Sequence, residues 1–325
     1  MRALTHATFG DPATVLEVTE VPTPTPGAGE ALVRVVRATI HNHDLWTIRG
    51  SYGFKPELPA GSGTEALGVV EELGEGVTHL EVGKRVVVGG VFGAWAEKVA
   101  APAAGLLPVP DAIGDEAAAQ LVAMPFSAVS LLDFAGLETG DWLIQNASNG
   151  AVGRLVAQFA KARGIRVVSL VRRTAGEAEL AEAGIDGVVS TDRDDWRERV
   201  AALTGDAPIR VAVDSVGGSA SADLLSVIAE GGTLISFGAM DDGTMLVPSG
   251  AVIFKQATVK GFWGSAVSKA MAPEHRNALL REVVERVASG EVALPVGGTF
   301  GFDEVGAALE AQDQPGRVGK IQLVP

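Results

Sequence analysis

The sequence predicts an α/β protein with a β-rich domain and a doubly wound parallel-sheet domain. Three observations carry this: a length of 325 residues, a change of hydrophobic rhythm near residue 115, and a glycine-bearing turn between a buried strand and a helix at 148–153. One hydrophobic core stops growing at roughly 250–300 residues, so two domains are expected. Hydrophobic residues make up 47% of the chain, enough to fill both cores. The 41 glycines follow no triplet period and read as turns and close approaches.

The first third is rich in β-branched residues. ALVRVVRATI (31–40), GVVEELG (68–74) and KRVVVGGV (84–91) read as strands, separated by turn signals at 22–30 and 74–77. Their spacing suggests a barrel-like domain. From 115 the pattern turns helical, and DEAAAQLVAMPFSAVSLLDFA (115–135) reads as helix. Next come a short buried strand, DWLIQNA (141–147), a glycine-started helix over 148–164, and the strand IRVVSLV (165–171). RVAVDSV (210–216), GTLISFG (232–238) and TVKGFW (258–263) continue the series, with helical stretches such as 221–232 between them. Strands alternating with helices predict a parallel sheet. The tail holds a helix at 273–290, a strand-like VGGTFGF (296–302), a short helix and KIQLVP (320–325). It is expected to return to the first domain.

The formal net charge of −14 argues against nucleic acid as a partner. It leaves room for an anionic cofactor held by local backbone donors and arginines. With no cysteine, disulfides, thiolate zinc sites and a cysteine nucleophile are all excluded. The opening MRALTHATFG shows no secretory pattern, and no run approaches about 18 apolar residues. A cytoplasmic protein without membrane contact is expected.

The segment Ser148-Asn149-Gly150-Ala151-Val152-Gly153 is the dinucleotide-binding pattern with its first glycine replaced by serine. Gly150 lets the backbone approach a pyrophosphate, and Gly153 lets the helix pack closely on the sheet. A ligand-free glycine turn is the alternative. Arg172 and Arg173 end the next strand, about 20 residues on, where an NAD enzyme places an acid on the ribose hydroxyl. Arginine suits a 2′-phosphate, so NADPH is expected as cofactor; a solvated surface pair is the competing reading.

These residues resemble the medium-chain dehydrogenase/reductase superfamily along essentially the whole chain. NHDLWTIRGSYG (42–53), QNASNGAVGR (145–154), VDSVGG (213–218) and FKQATVKGFW (254–263) carry the resemblance. They are most similar to its quinone oxidoreductase and trans-2-enoyl thioester reductase branch. The resemblance implies a GroES-like catalytic domain over 1–123 plus 270–325, a Rossmann domain over 124–269, and an active site in the cleft between them. It also implies a homodimer through the Rossmann sheet edge, near 245–265.

Zinc members of the superfamily use cysteines and a histidine. Here His41 and Thr64 fall at two of those positions, and the third, near Met124, offers no ligand. His41, His43, Asp44 and Glu65 could make an unusual site, but the sequence does not bring three of them together, so no metal is expected and His43 too is read as lining or flanking the cleft. His41, Asn42 and Trp46 are expected to line or flank the substrate pocket.

Tyr52 is the only tyrosine. The resemblance implies that it lies in the active site, where its phenol is a protonated donor at neutral pH. A loop plug with its hydroxyl in water is the alternative. Hydride attack on the β-carbon of an activated C=C places negative charge on the carbonyl oxygen, and a donor there stabilises or protonates the enolate. Trp263 matches an aromatic bordering nicotinamide and acyl group, with core or dimer packing as the alternative. The resemblance further implies cofactor contacts at Ser127, Asn146, Val216, Gly238, Met240, Phe262 and Lys320. Met124 replaces an asparagine of the family pattern beside Ser127. The function expected is NADPH-dependent reduction of a 2-enoyl thioester. Its alternatives are reduction of free enones or quinones, a zinc-type alcohol dehydrogenase, and a non-enzymatic NADPH-binding protein.

Overall fold

In a computed structural model describing residues 1–325, the first strands are β1 (Arg2–His6), β2 (Leu16–Glu20), β3 (Glu30–Thr39), β4 (Ala60–Gly61), β5 (Glu65–Leu73), β6 (Arg85–Gly89), β7 (Lys98–Pro102) and β8 (Leu107–Pro108). Of these, β3, β5 and β6 fall on the β-branched segments, and the others were not singled out. β3 is the hub: it pairs antiparallel with β5 and with β7. Its Ala31, Val33 and Val35 repeat at the two-residue period of a strand and are buried with Val70, Val86, Val88 and Trp95. The Trp95 indole N–H donates to the Thr39 carbonyl at 3.1 Å, so the ring is packed without an orphaned donor. β2, β1 and β4 form a separate three-stranded sheet.

The helix expected over 115–135 is two helices, Asp115–Ala118 and Ala123–Ala135. Pro125 lacks an N–H and is tolerated only in a helix's first turn, so the helix must restart just before it. The restart is capped by a distant side chain: Glu65 Oε1 accepts the N–H groups of Val122 (2.5 Å) and Ala123 (3.0 Å).

The segment Met124–Glu282 forms one compact unit. Its six parallel strands are β9 (Trp142–Gln145), β10 (Arg166–Val171), β11 (Val188–Ser190), β12 (Ile209–Asp214), β13 (Thr233–Ser236) and β14 (Thr258–Gly261). Their order is β11-β10-β9-β12-β13-β14, the 3-2-1-4-5-6 order of a doubly wound sheet. Helices cover both faces, so the strands read as continuous apolar runs: Leu143, Ile144, Val168, Ala212 and Leu234 are fully buried. The helix Ala151–Ala162 buries Leu155, Val156 and Phe159. Each such side chain contributes roughly 1.5–3 kcal/mol of burial.

The chain then rejoins the first unit, which comprises Met1–Ala123 and Val283–Pro325. The return lies between Glu282 and Val283 and not at the expected 269/270, because the helix Pro273–Ala288 runs through the changeover. After it, β15 (Val296–Gly301) pairs parallel with β16 (Lys320–Val324). β16 pairs antiparallel with β3, setting Gln322 against Thr39 and Leu323 against Ala38. No helix is long and apolar enough to cross a membrane.

Candidate active site

In the second unit, the turn after β9 lies where β9 is flanked by β10 and β12, the point at which strand order reverses. Open α/β sheets bind ligands at this point. Gly150 is the N-cap of the helix Ala151–Ala162, and no side chain caps its first N–H groups. These donors and the positive helix end suit a pyrophosphate. A Cβ on Gly153 would lie 2.7 Å from Ser148 Cα and 2.9 Å from Ala147 O, so only glycine lets the helix start against the turn. On Gly150 a Cβ would meet Ala147 O alone, at 3.1 Å, which leaves its outer side open. Ala147 holds φ 48°, a sparsely populated conformation that costs a side-chain-bearing residue roughly 1–2 kcal/mol. Ser148 replaces a glycine without strain: its buried Oγ donates back to Gln145 O at 3.2 Å.

Arg172 and Arg173 are exposed at the end of β10. The acid nearest in the turn, Asp192, is occupied by Thr174, whose N–H (2.8 Å) and Oγ1 (2.9 Å) donate to it, and by Ser190 Oγ at 2.6 Å. The residues of this half therefore fit a dinucleotide with an extra phosphate.

The strand ends beside the turn are tied by Asp214, which sequence reasoning did not single out. Its Oδ1 accepts from Asn146 Nδ2 (2.7 Å), Val216 N (2.9 Å) and Gly217 N (3.1 Å), and its Oδ2 from Ser221 Oγ (2.5 Å). Asn146 Oδ1 also accepts from Ser215 N at 2.7 Å, so this side chain helps to shape the site from within. Gly238 N donates to Asp214 O and Met240 N to Ser215 O, which brings Val216, Gly238 and Met240 to one edge. Phe262, expected at the cofactor, has its ring buried against Phe134 (5.3 Å between centroids) and Phe237 (5.8 Å). Trp263 is exposed at the N-cap of Gly264–Ala270. Ser127 Oγ lies beside the residue that follows Trp263: a Cβ on Gly264 would be 3.7 Å from that oxygen.

In the first unit, His41 caps the helix Asn42–Arg49, and Asp44 Oδ2 accepts its N–H at 2.9 Å. Gly50, at φ 72°, ends the helix. The N–H groups of Ser51 (2.9 Å) and Tyr52 (3.2 Å) then both donate to Trp46 O, which pins the Tyr52 loop to the helix end. Asn42 is exposed, and its Oδ1 accepts from Gln312 Nε2 at 3.1 Å. The His43 ring lies 5.9 Å from the Tyr52 ring and stacks on His41 at 5.1 Å. His43 Nε2 is 2.7 Å from Thr64 Oγ1, and that hydroxyl donates to Asp44 Oδ1 at 2.7 Å.

Behind this chain lies a buried charged layer. His41 Nε2 is 2.8 Å from Glu65 Oε2. Burial pushes the Glu65 carboxyl up to about 7, opposed by the Val122 and Ala123 N–H groups. Burial, with the charge of Lys320, holds His41 well below the ordinary imidazole range, so the ring is neutral and the pair is a hydrogen bond rather than an ion pair. Lys320, expected at a cofactor, is buried beside Asp44 and Glu65. Burial and then Arg317 bring its ammonium down to about 8. Asp44, Thr64 and Glu65 thus join the expected residues; the spacing of 44 and 64 gave no hint that a helix start and a strand entry meet.

A zinc ion does not fit this donor set. The chain has no cysteine, Glu65 is spent on two backbone N–H groups and His41, and no three His, Asp or Glu side chains converge.

Comparison with known proteins agrees with this geometry. A family profile described as an alcohol dehydrogenase GroES-like domain matches residues 27–111, and one described as zinc-binding dehydrogenase matches 151–283. The chain is 32% identical over 322 residues to the mitochondrial enoyl-acyl-carrier-protein reductase of Bos taurus, covering 97% of this chain and 86% of that protein. Escherichia coli quinone oxidoreductase, solved in complex with NADPH, superposes with a TM-score of 0.89 at 25% identity over 100% of both chains. A Pseudomonas syringae quinone oxidoreductase superposes with a TM-score of 0.87 at 26% identity, over 100% of this chain and 99% of that one.

Proposed function

The chain belongs to the zinc-free branch of the medium-chain dehydrogenase/reductase superfamily, and we propose that it is an NADPH-dependent reductase of an activated C=C bond, with a 2-enoyl thioester as substrate. The observation that carries this is the turn 148–153 at the strand-order reversal, with Arg172 and Arg173 ending the adjacent strand. Ala151, Val152 and Gly153 N–H groups hold the pyrophosphate, and the two guanidinium groups hold the 2′-phosphate. Bound NADPH supplies a hydride to the substrate β-carbon. Tyr52 supplies the donor: its phenol meets the charge that develops on the enolate and returns a proton to the α-carbon. The enoyl thioester is favoured by the relatives named for that reaction.

A quinone or free enone is the second reading, favoured by the solved neighbours named for it. NADPH oxidation against crotonyl-CoA, trans-2-enals and quinones, with NADH as control, tests both. Turnover of crotonyl-CoA that collapses in Tyr52→Phe while quinone turnover survives supports the first. Activity on quinones alone supports the second.

The homodimer is part of the same reading. β14 is one of the sheet's two edge strands, and Leu246, Ile253 and Phe254, which precede it in the chain, are exposed, Phe254 at 81%. An open edge flanked by apolar side chains suits pairing with a second copy. Sedimentation of the wild type and of Phe254→Glu tests it.

A further inference from the structure

We propose that His43 is a positioning residue that keeps Tyr52 supplied with its proton, at the end of a relay running Asp44–Thr64–His43. The inference rests on the reductase reading above and assigns a part to three residues which that reading leaves idle.

The geometry begins at Thr64. A threonine hydroxyl has one hydrogen, and Thr64 gives it to Asp44 Oδ1 at 2.7 Å. The same oxygen can then only accept from His43, so the hydrogen in the 2.7 Å contact sits on His43 Nε2. This fixes the ring as a donor on that side and leaves Nδ1 as the nitrogen able to exchange a proton with the phenol. His43 is 23% exposed, whereas Asp44 is closed to solvent. The relay thus has a dry anionic end and a wet imidazole end, with the Tyr52 ring 5.9 Å from the latter. A carboxylate that orients a histidine through a hydrogen bond and stabilises its charged form is the logic of other proton-transfer sites.

The other charged groups around the ring set its surroundings. His41 stacks on His43 and is neutral. Asp44, on the same helix, is the anion nearest the ring, at 3.5 Å from Nε2. Glu65, on the adjoining strand, and Lys320, on β16, lie in the buried layer behind.

The proton balance closes. Hydride addition to the β-carbon oxidises NADPH to NADP⁺ and moves the C=C electron pair toward the α-carbon and carbonyl oxygen. The Tyr52 O–H bond breaks as its proton bonds to the α-carbon. The phenolate takes the Nδ1 proton of the His43 imidazolium, whose Nε2–H stays on Thr64. Water then reprotonates Nδ1.

The test is the pH dependence of crotonyl-CoA reduction in wild type, His43→Gln, Thr64→Val and Thr64→Ser. His43→Gln and Thr64→Val are expected to lower kcat about 10–100-fold, leaving KM within about twofold. They should also erase the limb along which kcat falls as pH rises, and Thr64→Ser should restore both. Variants that keep the wild-type profile, or whose loss lies in KM, overturn the relay alone. A wild type that reduces no enoyl thioester, enal or quinone fails the reductase reading, and the relay with it. Should the variants not fold, ¹⁵N spectra of the wild-type histidines decide: neutral His43 protonated on Nε2 supports the relay, and on Nδ1 overturns it.

Discussion

His41 Nε2 and Glu65 Oε2 stand 2.8 Å apart with both side chains closed to solvent. The pair sits at a site with no metal donor set, and Glu65 also caps the helix that opens at Ala123. One carboxyl group therefore serves a catalytic-domain strand and a helix start together.

Glu65 makes stability depend on pH. Its carboxyl is raised from 4.5 to about 7 in the folded protein, so between those values the native state binds a proton that the unfolded chain has lost. Stability from this group is complete below 4.5 and declines as pH rises through 7. Glu65→Gln keeps an acceptor for the two N–H groups and carries no charge. Its unfolding free energy relative to wild type should rise from pH 5 to pH 8, by an amount on the order of 3 kcal/mol. Thermal unfolding across that range checks it, and a difference that is flat with pH removes the argument. Lys320 works oppositely at higher pH: lowered from 10.5 to about 8, it makes stability rise between those values.

Gly153→Ala should loosen the nucleotide turn. The added Cβ meets Ser148 Cα at 2.7 Å, and backbone must move. A loss of about 1–3 kcal/mol in unfolding free energy is expected, together with weaker NADPH binding. Urea titration and NADPH fluorescence titration measure the two effects. Unchanged values in both would mean that the turn yields without cost.

Arg172→Ala and Arg173→Ala should erode the preference for NADPH over NADH. A hydrogen bond to a charged group is worth about 1.5–3 kcal/mol, so each substitution should cost about 10–100-fold in NADPH affinity with NADH binding little altered. Parallel Kd measurements for both nucleotides test this; equal losses for the two would assign the arginines to something other than the 2′-phosphate.

Asp214→Ala removes the acceptor of Val216 N, Gly217 N, Asn146 Nδ2 and Ser221 Oγ at once. Leaving buried donors unpaired costs about 1–3 kcal/mol each, so a loss of at least about 3 kcal/mol is expected. Asp214→Asn retains one acceptor and should lose less. Denaturant midpoints compare the pair, and near-equal stability of Asp214→Ala and wild type would refute the network's importance.

The second unit was the more legible. Buried parallel strands read as apolar runs, and both ends of β9, β10, β12, β13 and β14 fall within two residues of the segments identified. The short β11 was not singled out. The nucleotide turn carried its own signature because its function needs glycine at Gly150 and Gly153. The break at 119–122 was hidden, because strong helix formers surround it and the group that stabilises the restart, Glu65, is far away in sequence. The burial of Lys320 was hidden for a similar reason: nothing in its neighbours in sequence signals it, and it follows from β16 taking its place beside β3. The contact of Thr64 with Asp44 and His43 is likewise a product of tertiary packing that no local period encodes.

The antiparallel seam between β16 and β3 has a consequence for biosynthesis. Residues 320–324 leave the ribosome well after β3, the strand they zip against. The Met124–Glu282 segment is continuous and can condense while translation proceeds. The earlier-made sheet must wait with its flank open until β16 emerges, and that interval is when nascent chains of this protein are most in need of chaperone cover.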